Sequence, residues 1–156
     1  MNAPDWTIRP VRSGDAPALR RMRDEAGWDQ EKVPAWITAS LTGERPTWVA
    51  ELAGDAVGMV SLELDDTDPE VADGKGVAAV TSLSVLASAG RRGIGRALTV
   101  FAEEQARVRG VRVLTLNTRP TNAAAIALYE GLGYRRWKQE TRPWGVAVFL
   151  RKSLVG

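Results

Sequence analysis

A chain of 156 residues, 44% hydrophobic and 26% charged, is long enough to bury one core, so a single domain over residues 1–156 is expected. It contains no cysteine and no histidine, which excludes disulfides, thiolate nucleophiles, every Ser-His-Asp or Cys-His site and nearly all transition-metal sites, so no metal is expected. A net charge of +2 is well short of a nucleic-acid binder, and the apolar runs are too short for a bilayer, so neither nucleic acid nor a membrane is expected as a partner.

Read from its start, "MNAPDWTIRP" lacks the basic and apolar stretches of a secretory signal, and the cytoplasm is the expected location. Alternation over "DWTIRPVR" (5–12) predicts a first strand. "SGDAPALRRMRDEAG" follows with cap-type residues, Pro17 in the first turn and Gly27 past the end, which predicts a helix. A second helix is expected over 32–42, closed by Gly43. "PTWVAEL" and "AVGMVSLEL" flank the turn Ala53-Gly54-Asp55 and read as an antiparallel hairpin. The segment 65–76, holding Asp65, Asp66, Asp68, Glu70 and Asp73, reads as an acidic loop, and "VAAVTSLSVL" (77–86) as a fourth strand. Beyond it, Ile94, Ala97, Leu98, Phe101, Ala102 and Val108 keep the spacing of a helix that buries one stripe, ending at Gly110. "VRVLTLN" (111–117) reads as a fifth strand, so the strand–helix–strand unit predicts a parallel pair joined by a right-handed crossover. "TNAAAIALYEGLG" (121–133) reads as a short helix with Asn122 as N-cap and Gly133 past its end. "YRRWKQE" and "WGVAVFLRK" read as two closing antiparallel strands around Arg142-Pro143. The order predicts an α+β fold: a mixed, mostly antiparallel central sheet of about seven strands, a parallel strand–helix–strand core, and about four helices on both faces.

The stretch "GRRGIGRAL" (90–98) sets Gly93 and Gly95 among Arg91, Arg92 and Arg96 at the mouth of a helix. Glycine lets the backbone approach a ligand and adopt positive φ. Open N–H groups at a helix start, with the positive end of its dipole, suit a phosphate, and the arginines reinforce them. No Lys-[Ser/Thr] follows, so this is no Walker loop, and Leu98 stands where a dinucleotide fingerprint needs a small residue. Taken alone, the segment also fits a purely structural turn.

The succession of "VTSLSV", "ASAGRRGIG", an amphipathic helix, "VLTLNT" and "NAAAIALYEGLGYRR" resembles the GNAT superfamily of N-acetyltransferases, closely over residues ~77–136 and loosely over the whole chain. In that family an R/Q-x-x-G-x-G/A loop binds the pyrophosphate of acetyl-CoA, and an N-x-x-A-x-x-x-Y-x-x-x-G-[FY] segment lies along its thiol end. The resemblance implies acetyl-CoA as co-substrate, held by Arg91, Arg92, Gly93, Ile94, Gly95 and Arg96, by the backbone of Leu83, Ser84 and Val85 on the fourth strand, and by Asn122. Gly90 stands where the family has arginine or glutamine, and Arg91 carries the charge one residue later. The resemblance also assigns Tyr129 the role of general acid, protonating or hydrogen-bonding the departing thiolate. A phenol of reference pKa about 10 is still protonated at pH 7. Tyr129 equally fits a core aromatic on a stripe with Ala125, Leu128 and Leu132.

Attack on the thioester needs a neutral amine, and an alkylamine of pKa about 10.4 is neutral in only about one molecule in 2,500 at pH 7. Family members often place a glutamate on the fourth strand to take a proton, but "VTSLSV" offers only Thr81, Ser82 and Ser84. Glu63, on the neighbouring strand, is the best substitute by location, with Glu51 and Asp65 behind it. Glu63 as a plain polar strand residue, or ordered water with a low-pKa amine, remain the alternatives. The acceptor in similar proteins enters past the first two helices and the last hairpin, where Trp28, Trp36, Trp137 and Trp144 fall, as an acceptor cradle or as core anchors. The acidic loop fits either a trap for a polyamine or aminoglycoside, or a solvated turn. The expected function is transfer of acetyl from acetyl-CoA to a primary amine of a small molecule or peptide by direct attack. The alternatives are a non-catalytic acyl-CoA-binding regulatory module, and a polyanion or RNA binder using Arg91, Arg92, Arg96 and "YRRWK". Homodimers are common among similar proteins, so one is allowed here.

Overall fold

The computed structural model describes residues 5–155. Its elements are β1 (Trp6–Pro10), α1 (Ala16–Glu25), α2 (Val33–Leu41), β2 (Thr47–Leu52), β3 (Asp55–Glu63), β4 (Val77–Val85), α3 (Ile94–Val108), β5 (Val113–Thr118), α4 (Ala123–Gly131), β6 (Arg135–Arg142) and β7 (Gly145–Ser153). The strands form a seven-stranded sheet in the order β1-β2-β3-β4-β5-β7-β6. β1/β2, β2/β3, β5/β7 and β6/β7 are antiparallel and β4/β5 is parallel, which is the mixed α+β sheet expected from the sequence. Contacts divide the chain into two compact units, one running to Glu63 and including Ser82–Ala102, the other Leu64–Thr81 with the chain from Glu103 onward.

In the first unit, β3 is buried without a break from Ala56 to Leu62, as a strand covered on both faces must be. Gly58 lies so close beneath α3 that a Cβ there would stand 3.1 Å from both Ile94 Cγ2 and Leu98 Cδ1. The Trp48 ring meets Phe101 of α3 edge-on at 5.4 Å. α1 packs on β3 and α2 on β2, with Leu19, Met22, Val33 and Ile37 buried. The β2–β3 turn is one residue shorter than expected, because Ala53 (φ 52) and Gly54 (φ 86) make a two-residue left-handed turn and Asp55 already pairs with Leu52. Asp15 holds the N-cap position of α1, but its carboxylate, rather than capping the helix, takes both Arg9 Nη atoms at 2.8 Å and the Arg12 amide at 2.7 Å. That bridge draws the chain out of β1 after Pro10 and into the 3₁₀ turn Ser13–Asp15.

In the second unit, the parallel ladder pairs Val77–Ala79 with Val113–Thr115. α4 begins as the sequence indicates, with the Asn122 side chain accepting from the Ala125 amide at 3.3 Å. Val71, Ala79, Ala147 and Phe149 form a buried cluster against which Trp137 and Trp144 pack, and Thr115 Oγ1 donates to the Val71 carbonyl at 2.8 Å. The buried Glu103 carboxylate is satisfied by Lys152 Nζ at 2.8 Å and by the Tyr134 hydroxyl at 3.3 Å. β6 carries a register shift between Arg136 and Lys138.

Candidate functional site

The turn from Gly90 to Arg96 joins the 3₁₀ turn Ala87–Ala89 to α3. Arg91 (φ 64) and Gly93 (φ 79) are left-handed, while Arg92 between them keeps the ordinary sign. Such alternation turns successive amides toward one side, a backbone nest for an anion. Sequence reasoning placed both left-handed positions on glycine; in the structure Gly95 lies inside the first turn of α3, and Arg91 takes the second left-handed position. For a side chain with Cβ that conformation costs roughly 1–2 kcal/mol, a strain typical of functional turns. Among the described residues, the amides of 91–96 donate to no carbonyl, and the guanidinium groups of Arg91, Arg92 and Arg96 meet no acceptor. The Arg91, Arg92 and Arg96 side chains are exposed. The turn is tethered from behind, where the Ala87 amide donates to Glu25 Oε1 at the end of α1, at 2.9 Å. Six amides and three cations without an acceptor among the described residues suit a diphosphate-type anion.

Leu83, Ser84 and Val85 lie half-buried on β4 just before this turn. Ser82, which precedes them, has φ 55, so β4 departs from regular strand geometry there. The Ser82 hydroxyl accepts from Arg45 Nη2 at 2.8 Å. The Arg45 guanidinium stands 4.3 Å from the Trp36 ring centroid, and Arg23 stacks on the same ring at 4.6 Å and on Trp28 at 5.6 Å. Burial pulls the Arg45 pKa down, partly offset by attraction to Glu63. Glu63, at the end of β3, thus lies within the electrostatic reach of Arg45. This Trp28–Arg23–Trp36–Arg45–Ser82 ladder was not foreseen, since nothing local in the sequence links "GERPTW" to "VTSLSV".

Asn122 and Tyr129 belong to the second unit. The Asn122 side chain is engaged on both sides, capping α4 through Ala125 and donating to Thr118 Oγ1 at 3.2 Å. Tyr129 is buried, with its ring edge-on to Tyr134 at 6.0 Å. Its hydroxyl makes no hydrogen bond among the described residues, and burial pushes its pKa up to about 12. The tryptophans at the expected acceptor side carry the protein's own cations: Arg119 stacks on Trp144 at 5.6 Å, and Lys138 and Arg151 on Trp137 at 4.7 and 4.2 Å. The acidic loop is likewise satisfied from within. Asp73 Oδ1 accepts from the amides of Lys75, Gly76 and Val77 at 2.8–2.9 Å, and Asp68 and Glu70 pair with Lys138 and Arg142. Asp68, Glu70 and Asp73 of this loop are thus engaged by the protein's own cations and amides.

The pattern of the acetyltransferase (GNAT) family matches residues 15–134. The mycothiol acetyltransferase of Amycolatopsis mediterranei (strain U-32) is 28% identical over 88% of this chain and 52% of its own length, so the chain spans about half of that relative. The crystal structure of ribosomal-protein-alanine N-acetyltransferase from Brucella melitensis is 26% identical, covers 94% of this chain and 99% of its own, and superposes with a TM-score of 0.81. The Salmonella typhimurium protein yncA, solved with its cofactor acetyl-CoA, shares the fold at a TM-score of 0.81 and 22% identity, over 97% of this chain and 95% of its own.

Proposed function

The chain belongs to the acetyltransferase (GNAT) family, and on that premise we propose that it transfers the acetyl group of acetyl-CoA to a primary amine of a small molecule or peptide. The observation that carries this reading is the donor-rich turn at 91–96, whose amides and arginines have no acceptor among the described residues. Arg91, Arg92, Gly93, Ile94, Gly95 and Arg96 would hold the diphosphate. The backbone of Leu83, Ser84 and Val85 would hold the pantetheine arm, an assignment favoured by a β4/β5 ladder that ends at Ala79, ahead of Leu83. Asn122 would contribute through its position at the start of α4 rather than through a spare side-chain group.

In the reaction the amine nitrogen attacks the thioester carbonyl, a C–N bond forms and the C–S bond breaks. The nitrogen gives up one proton to Glu63 or to ordered water, and the departing sulfur is met by the Tyr129 hydroxyl. With Tyr129 at about 12 and a thiol near 8.5, complete transfer from the phenol would be uphill by about 5 kcal/mol. Tyr129 therefore acts chiefly as a hydrogen-bond donor to charge developing on sulfur. Relatives named for acetylation of mycothiol and of a ribosomal-protein alanine support an acceptor that is a small molecule or a peptide.

The test is thiol release from acetyl-CoA across amines that include an alanine-initiated peptide, an amino sugar, an aminoglycoside and a polyamine. Turnover on at least one primary amine is the expected result. Tight acetyl-CoA binding with no turnover on any of them would instead support the non-catalytic regulatory module.

A further inference from the structure

β6 and β7 carry six basic side chains: Arg135, Arg136, Lys138, Arg142, Arg151 and Lys152. Four have carboxylate partners, with Arg136 on Glu130 at 3.3 Å, Lys138 on Glu140 at 2.8 Å, Arg142 on Glu140 at 3.1 Å and Lys152 on Glu103 at 2.8 Å. Arg135 and Arg151 have none among the described residues, yet they stand directly opposite each other in the β6/β7 register. Like charges at facing positions of a ladder repel, and the acidic groups that neutralise the neighbouring cations do not reach this pair. The two arginines line a cavity of about 380 Å³, together with Val113, Arg136, Trp137 and Ser153. The Arg151 guanidinium lies 4.2 Å from the Trp137 ring centroid, so stacking fixes its plane while its N–H edges stay available. Trp137 Nε1 is closed off from solvent with no acceptor, a further unmet donor on a side chain that walls the cavity.

We infer that this pocket binds a small dianionic oxyanion, a phosphate monoester or a dicarboxylate. Two facing guanidinium charges, that of Arg151 held by Trp137, are matched by a ligand carrying about two negative charges, which a phosphoryl group does near neutral pH. Planar forks engage such oxygens two at a time. A single carboxylate would leave one cation uncompensated. Polyanion binding by "YRRWK" alone is disfavoured, because Arg136 and Lys138 are already paired.

The experiment titrates inorganic phosphate, glycerol 3-phosphate and succinate into the intact protein and into Arg135→Gln and Arg151→Gln, following heat, tryptophan fluorescence and Tm. Any binding by the 91–96 turn is common to all three proteins and cancels in the comparison. Saturable binding that weakens tenfold or more in either variant, with acetyl-CoA affinity unchanged, is expected. The phosphate arms against the succinate arm then tell which source of dianion the pocket prefers. Without ligand, Arg135→Gln should melt at or above the parent temperature, because it removes the facing like charge. Oxyanion affinities that survive both substitutions would overturn the assignment. So would an absence of saturable binding, or salt-sensitive RNA retention that alone depends on these arginines.

Discussion

The Tyr129 hydroxyl, raised to about 12 by burial, does not ionise across the range in which an acetyl transfer is assayed. The pH dependence should then be set by the acceptor: log kcat/KM rises with a slope near one as the amine loses its proton, and no alkaline fall tied to a phenol appears below about pH 11. Tyr129→Phe removes the proposed donor to sulfur and keeps the ring that packs on Tyr134. It should lower kcat tenfold or more with acetyl-CoA affinity little changed, whereas unaltered turnover would return Tyr129 to a purely packing role. A second residue-level expectation concerns Asp15. Burial pushes its carboxyl up, but the Arg9 and Arg12 hydrogen bonds and the Arg9 charge prevail and leave it below the ordinary value of 3.8. A carboxyl whose folded pKa is depressed adds stability above its unfolded pKa and loses it as pH falls through the folded one. Asp15→Asn should cost about 1–3 kcal/mol near neutrality, read from urea midpoints. The deficit should narrow steadily below pH 3.8. A deficit independent of pH would show that the charge on Asp15 contributes nothing.

At the level of elements, β4 is held at Ser82 by a contact reaching 37 residues back along the chain, to Arg45. A serine in the left-handed region is strained by roughly 1 kcal/mol or more, and persists where its surroundings fix it. Removing the fixing group by Arg45→Met should raise the KM for acetyl-CoA about fivefold, the factor that 1 kcal/mol represents. Ser82→Gly alone should be nearly silent, because glycine adopts φ 55 unaided. The double variant should recover most of the loss. A double variant as impaired as Arg45→Met would refute this role. The same contrast explains what could be read in advance. α2, α3 and α4 were legible because their Pro, Gly and Asn boundaries and apolar spacing are local signals, and the 91–96 turn because its motif is contiguous. The end of β1, the length of the β2–β3 turn, the Arg45–Ser82 contact and the facing of Arg135 with Arg151 were not. Each is decided by a partner distant in sequence or by backbone φ, neither of which residue spacing encodes.

Across the whole molecule, the protein neutralises or stacks many of its cations internally, on Asp15, Asp68, Glu103, Glu140 and the tryptophans. Against that background, Arg91, Arg92 and Arg96 stand out at a turn whose amides also lack acceptors among the described residues. Family membership agrees with that turn, while the chain's 52% coverage of a mycothiol acetyltransferase leaves the acceptor to experiment. The most direct test is a calorimetric titration of acetyl-CoA into the parent protein and into Gly93→Ala. At Gly93, φ is 79 and no atom lies within 4 Å of an added Cβ, so the substitution acts through backbone conformation alone. Saturable heat at one ligand per chain, weakened about five- to thirtyfold in the variant, is the expected result. No heat from the parent protein, or equal affinity in the variant, would contradict the assignment of the 91–96 backbone to the acyl carrier.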